Sequence, residues 1–398
     1  MDLTIERLSG PSMEETDFEI VERKGLGHPD TICDLVLDRV SVELSREYLK
    51  RFGTVLHHNA DKSLLVAGEA ETRFGGGKVK KPMLFVFGDR ATRRVGEEEV
   101  DVDGIVIRAS KQWFKENLRF VDPERHLRYR VELKPGSAAL VDLFRRVRKG
   151  EFLGANDTSA AVGYAPLSRL ETLVLKTEKY LNSKDFKRRF PETGEDVKVM
   201  GIRRKKRVSL TIAMAFVDKF IKSEEDYFRR KEEVLEDLKD FLSRIGFGEV
   251  ELALNTLDAR GRGPDGVYLT VLGTSADGAD SGEVGRGNRP NGVIPLNRPV
   301  SSEAAAGKNP VSHIGKIYNL FSHRLAEAIY ERIEGLKEVY VWLVSQIGKP
   351  INEPQLVLVK AISGRGGFED EVRETVEEEF SRLGEFCDRL IRGEIPIC

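Results

Sequence analysis

Cysteine is scarce in this chain. Cys33, Cys387 and Cys398 show no paired spacing and no CxxC, which argues against a disulfide framework or a thiolate zinc site. Long apolar runs are missing too, and no stretch approaches the roughly 18 apolar residues of a membrane span. The first residues, MDLTIERLSG, lack a basic leader followed by an apolar run, so no secretory signal is expected. Neither charge is in excess. The 64 basic and 66 acidic residues leave a net −2, with no global pull on nucleic acid or an anionic membrane. Absent as well are the HExxH zinc pattern, the GxSxG nucleophile elbow and any Gly-Lys pair followed by Ser or Thr. Zinc-enzyme, serine-hydrolase and Walker A readings therefore lose support. The expectation is a cytoplasmic protein with no membrane and no nucleic-acid partner.

What the chain does contain is length, a core and dense mixed charge. Its 398 residues exceed one ordinary domain, predicting two or three packed units. At 40% the apolar share is enough for a substantial interior. The charged share of 33%, mostly Lys, Arg and Glu, suits ion-pair networks at high temperature.

Periodicity predicts strands at 18–21, 64–67, 84–87, 105–107, 208–217, 267–272 and 339–344. Helices are expected from Pro29 onward, with Ile32, Val36, Val40, Leu44 and Tyr48 at helical spacing, and at 113–120, 225–245, 314–333 and 368–391. Segments 182–206 and 275–310 look irregular, and the second is long enough to be a functional loop. Strands and helices mix without strict alternation, favouring an α+β fold over a doubly wound one.

The most informative patch is Gly25-Leu26-Gly27-His28-Pro29-Asp30. Pro29 suits the first position of a helix, leaving His28 at the cap and Asp30 in the first turn. A helix start offers free N–H groups and a positive dipole end, a natural seat for phosphate. There His28 can donate to an oxygen that gains charge, and Asp30 can hold magnesium, with Asp34 one turn on. The plainer alternative is a loop with an incidental cap.

The second patch is GTSADGADSGEVGRGNRPNG, residues 273–292. Its glycines allow backbone to approach a ligand, Arg286 and Arg289 offer phosphate partners, and Asp277 and Asp280 can bridge through magnesium. A flexible loop is the alternative. Gly261 to Gly266 matches GxGxxG but precedes a strand, so a turn is expected there. Arg203 to Arg207, RRKKR, reads as a solvated turn. An RNA-binding role for it, and a magnesium-dependent phosphotransferase, are the rival functions.

Several patches, in order along nearly the whole chain, resemble the methionine adenosyltransferases, and HHNADK, NDTS and GKNPVSHIGKIYN are similar to the archaeal branch. GHPDTICD resembles GHPDKIADQ, VAGE resembles VGGE, and GANDTSAAVGYAPLS resembles GAGDQGLMFGYA. DVKVMG, ADSGEVGRGNR, AGKNP and VSQIGKPINEP resemble further family segments. The resemblance implies three similar sheet-plus-helix subdomains, taken as 1–125, 126–250 and 251–398 with interleaving, in a dimer whose active sites lie between subunits. It implies that methionine sulfur displaces tripolyphosphate from C5′ of ATP, giving S-adenosylmethionine, and that the tripolyphosphate is then hydrolysed to phosphate and diphosphate.

By the same resemblance His28, Lys198, Arg286 and Lys308 are catalytic, and Asp30 and Asp280 hold two magnesium ions. Asp157 and the stretch Gly136, Ser137, Ala138, Ala139, Leu140 and Val141 bind substrate. Potassium activation is common in relatives and has no residue pattern here. Two departures stand out. The bacterial lysine after the arginine is Gly287, and the second lysine of GKDPxK is Ser312. Lys316 and His313 are the candidates for the missing charge.

Overall fold

In the computed structural model, which describes residues 2–136, 151–364 and 366–398, the chain forms three main sheets with helices against them. One sheet has the order Leu3–Arg7, Leu356–Ser363, Leu336–Val344, Ala160–Ala165, with only its first pair parallel. A second runs Leu127–Lys134, Met83–Ala91, Leu64–Val66, Gly282–Glu283. The third runs Val250–Leu254, Arg207–Val217, Thr193–Arg204, Phe18–Lys24, Ile294–Pro295. All three are mixed or mostly antiparallel, as an α+β chain requires and a doubly wound one does not. Each sheet takes strands from distant stretches of sequence.

The Pro29–Phe52 helix follows its sequence closely. Pro29 opens it, Gly53 closes it in a left-handed conformation (φ 70°), and Ile32, Val36, Val40, Leu44 and Tyr48 are fully buried. It packs on the Val102–Asn117 helix and the second sheet. Segment 105–107 belongs to that partner helix and is not a strand. Asp101 caps it through the Gly104 N–H, and Ile105, Val106, Ala109, Trp113 and Phe114 turn inward at helical spacing. The β-branched run had suggested a strand, but burial on one helical face decides. The separate helix expected at 113–120 is the end of this one.

Segment 182–206 is also ordered, holding the Lys184–Arg189 helix and the Thr193–Arg204 strand. Its charges hide the alternation because they are buried in pairs. Glu195 meets Arg119, Glu192 meets Arg230 at 2.8 Å, and Arg203 meets Glu19 at 3.0 Å. The basic run is therefore a hairpin with one arginine inside and Lys205 at its tip (φ 55°). Only Leu269–Thr270 is strand within 267–272, and 368–391 is two helices that meet at Arg382. Gly263–Gly266 is a short turn whose preceding N–H groups bind the Glu224 carboxylate.

Arg298 links two of the sheets. Its guanidinium, 1% exposed, reaches Glu171 at 3.1 Å, Glu338 at 2.7 Å and the Tyr340 hydroxyl at 2.9 Å. Glu171 belongs to the helix behind the third sheet and Glu338 to a strand of the first. Arg298→Met strands both carboxylates in the interior and is expected to cost about 3 kcal/mol of stability, read from the denaturation midpoint.

Candidate active site

Three segments converge at the start of the Pro29–Phe52 helix. The His28 ring nitrogen Nδ1 accepts the Asp30 N–H at 3.2 Å, so in the neutral ring the proton sits on Nε2. Burial pushes the His28 pKa down to about 4, Asp30 opposes this, and Lys24 and Lys198 add to it. His28 is thus a neutral donor at pH 7. Asp30 accepts the Glu283 N–H at 2.9 Å and the Lys24 ammonium at 2.9 Å, and Asp34 accepts the Gly285 N–H at 2.7 Å. One turn apart, these carboxylates pin the 283–285 backbone across the helix start. Burial raises the Asp34 pKa to about 7.

Lys24 also donates to the Arg286 carbonyl at 2.7 Å. Lys198 stands beside Lys24 in register on the neighbouring strand and pairs with Glu22 at 3.2 Å. The Arg286 side chain is 69% exposed, with Glu283 only at 3.8 Å, so it can turn towards an anion. Asp280 is exposed on the same loop, and its charge reaches the buried Asp196. Asp277 is different. One oxygen of its buried carboxylate accepts the Val271 and Leu272 N–H groups at 2.7 and 2.8 Å, tying it to the loop backbone.

Gly27 is what lets the segments close. Its N–H reaches the Glu195 carbonyl at 2.9 Å, and its carbonyl accepts the Thr274 hydroxyl at 2.7 Å. A Cβ there would fall 2.5 Å from the Asp196 nitrogen. Gly27→Ala must therefore displace His28. Turnover is expected to fall about a hundredfold, since a misplacement near 1 Å suffices for that, while the secondary structure seen by circular dichroism is kept.

A second group surrounds Lys308. Its ammonium, 2% exposed, lies 2.6 Å from Asp61 and 2.9 Å from Glu303. At the backbone end the Ser41 hydroxyl donates to the Lys308 carbonyl at 2.8 Å. The same hydroxyl lies 2.9 Å from Nε2 of the buried His58. Its Nδ1 sits between the Leu56 carbonyl at 3.1 Å and the Asn309 amide at 3.2 Å. The 154–159 segment lies alongside, where the Asn156 side chain accepts the Ile314 N–H at 3.2 Å and Ser345 donates to the Asp157 carbonyl at 2.8 Å. The Asp157 carboxylate itself is exposed and accepts the Thr158 N–H. Gly136 lies against His57, and Ser137, Ala138, Ala139, Leu140 and Val141 are outside the described residues.

An open cleft of about 520 Å³ joins Lys308, Asp61, Lys62 and Glu303 to Glu283 and Arg286. Among the described residues no hydrogen bond or ion pair links Lys308 to His28, Asp30 or Lys198. The candidates therefore form two groups, with the 283–286 segment shared between them. Lys316 is buried in a 2.7 Å pair with Asp38, and burial lowers the His313 pKa to about 3, leaving it neutral. Lys24, Asp61 and Glu303 were missed from sequence. For Lys24 a signal existed, its place just before GLGHPD at the end of an alternating strand; Asp61 stood in the HHNADK patch with no role assigned, and Glu303 had no signal.

Among the described residues no three His, Cys, Asp or Glu side chains make a ready metal cage. That suits magnesium, which takes one or two carboxylates and leaves its other positions to phosphate oxygens and water. The exposed Asp280 can offer such an ion an oxygen directly, whereas both Asp30 oxygens are engaged, by the Glu283 N–H and by Lys24, and Lys24 must yield for a metal to bind there. No described helix is long and apolar enough to cross a membrane.

The family model for S-adenosylmethionine synthetase (AdoMet synthetase) matches residues 1–394. A probable S-adenosylmethionine synthase of Aquifex aeolicus is 46% identical, covering 96% of each chain. The S-adenosylmethionine synthases of Hyperthermus butylicus and Aeropyrum pernix are 45% and 46% identical, each with 99% of both chains covered. A solved structure of an unusual S-adenosylmethionine synthetase from Campylobacter jejuni overlaps 95% of this chain and 94% of its own with a TM-score of 0.57 at 14% identity, a likeness of fold. Together with the ordered motifs, these matches mean that the chain belongs to the S-adenosylmethionine synthetase family.

Proposed function

We propose that this methionine adenosyltransferase builds each active site from two copies of the chain, one lending the His28 group and the other the Lys308 group. The enzyme forms S-adenosylmethionine from ATP and L-methionine. A thioether is a neutral nucleophile that needs no base, so the barrier rests on alignment and on charge gathering on the departing triphosphate. His28 donates through Nε2–H, and Lys198, Arg286 and Lys308 add positive charge along the chain of phosphates. Asp30 and Asp280 hold two magnesium ions. Bound magnesium neutralises phosphate charge. Asp157 and the 136–141 stretch position the substrates, and the tripolyphosphate is cleaved to phosphate and diphosphate before release. Three sheet-centred subdomains, a cytoplasmic location and potassium activation complete the reading through family resemblance.

The observation that carries it is the double pinning of the 283–285 backbone by Asp30 and Asp34, which brings the loop of Arg286 to the helix start of His28 and Asp30. The dimer has separate support. Phe18 and Ile20, 59% and 36% exposed, share a strand face with Glu22 and Lys24, and Leu296, 57% exposed, bonds to the Ile20 carbonyl. An apolar patch continuous with a catalytic face suits a second copy. The rival phosphotransferase lacks family support, and the RNA reading loses Arg203 to the interior. Incubation with methionine, ATP and magnesium should give the sulfonium product by mass spectrometry, with phosphate and diphosphate. Transfer of phosphate to an acceptor, or insensitivity to chelation, contradicts the reading.

A further inference from the structure

We infer that Asp61, braced by Asp89, acts with Glu303 as a positioning device that aims the Lys308 ammonium into the Arg286 cleft. The inference rests on the catalytic reading of Lys308 above. An ammonium at 2% exposure loses its hydration, and two carboxylates at 2.6 and 2.9 Å replace it and fix its direction. The stem is confined as well. A Cβ at Gly315 would lie 2.9 Å from both the Lys308 Cε and the Glu303 carboxylate, so the pair as placed uses the space that this glycine leaves. With the carbonyl held by Ser41, both ends of the residue are set. Such a cation needs no reorganisation when a phosphate oxygen arrives.

Asp89 supplies the independent observation. It stands inside the Met83–Ala91 strand at φ 106°, a conformation that costs an L-residue energy and persists where the surroundings enforce it. Burial and the neighbouring Asp61 carboxylate raise the Asp89 pKa to about 6, and its protonated form donates to Asp61. Asp61 is thereby surrounded by Lys308, Asp89 and Lys62, the last at 2.7 Å. A fold seeking only stability gains nothing from a strained aspartate facing another aspartate. A fold that must hold one carboxylate still against a lysine does.

The test compares Asp61→Asn, Asp61→Glu, Glu303→Gln and Asp89→Gly with wild type, measuring kcat, both KM values and melting temperature. Asp61→Asn is expected to lower kcat about tenfold or more, with the KM for methionine nearly unchanged. Asp61→Glu should recover part of the loss. Glu303, at 32% exposure of its side chain, can be changed without emptying the interior, and Glu303→Gln should show the same split. Asp89→Gly relieves the backbone, so it should keep the melting temperature while lowering kcat. Wild-type kcat in Glu303→Gln and Asp89→Gly overturns the inference. Wild type that makes no sulfonium product sinks the functional reading itself.

Discussion

His28→Ala is expected to lower the turnover of S-adenosylmethionine formation by about a hundred- to thousandfold, the usual cost of losing one donor aimed at developing charge. The ring does two jobs through its two nitrogens. Nδ1 caps the Pro29–Phe52 helix through the Asp30 N–H, and Nε2–H is left to face the phosphates. Loss of the cap alone costs about 1 kcal/mol. His28→Asn restores a capping side chain without the distant donor, so it should recover the denaturation midpoint and leave kcat low. A His28→Ala enzyme with near-normal kcat would show that the imidazole does no more than cap.

Lys308→Met is expected to abolish comparable turnover and to cost about 3–5 kcal/mol of stability as well, because Asp61 and Glu303 lose the cation between them. The two effects separate. Adding Asp61→Asn to Lys308→Met removes an uncompensated charge and should recover part of the stability without any activity. Lys308→Gln, which keeps a hydrogen-bond donor, should fold better than Lys308→Met and be about as slow. Urea denaturation and product formation on the same four proteins check both halves. Full stability in Lys308→Met would mean that the two carboxylates are already hydrated and the site is open.

Much of this was legible where one signal dominated. The helix from Pro29 has a proline start, a glycine stop and an unbroken apolar stripe, so periodicity and punctuation agree. Arg207–Val217 alternates plainly, and Glu224–Arg244 has one apolar face. Reading failed where local preference and packing disagree. Ile105, Val106 and Ile107 are β-branched yet helical, and Thr193–Arg204 buries Glu195, Asp196 and Arg203 in pairs whose partners lie far off in sequence. The same holds for the site. His28, Asp30, Lys198 and Arg286 stand in recognisable patches and meet at one helix start. Lys308 was recognisable, but its pairing with Asp61, 247 positions away, was not. An ion pair of that separation leaves no mark on local composition. The 2.7 Å pair of Lys316 with Asp38 was equally hidden, because the two residues lie 278 positions apart.

Mixing subunits tests the two-copy site most directly. His28→Ala and Lys308→Gln proteins, each nearly inactive alone, are unfolded together, refolded and assayed with methionine, ATP and magnesium. If one copy supplies His28 and the other Lys308, each mixed dimer carries one site with both changes and one site with neither. Random pairing makes half of the dimers mixed, so roughly a quarter of wild-type activity should return. If both residues act within one copy, no mixed dimer holds an intact site, and activity that stays at the level of the separate variants would contradict the assignment.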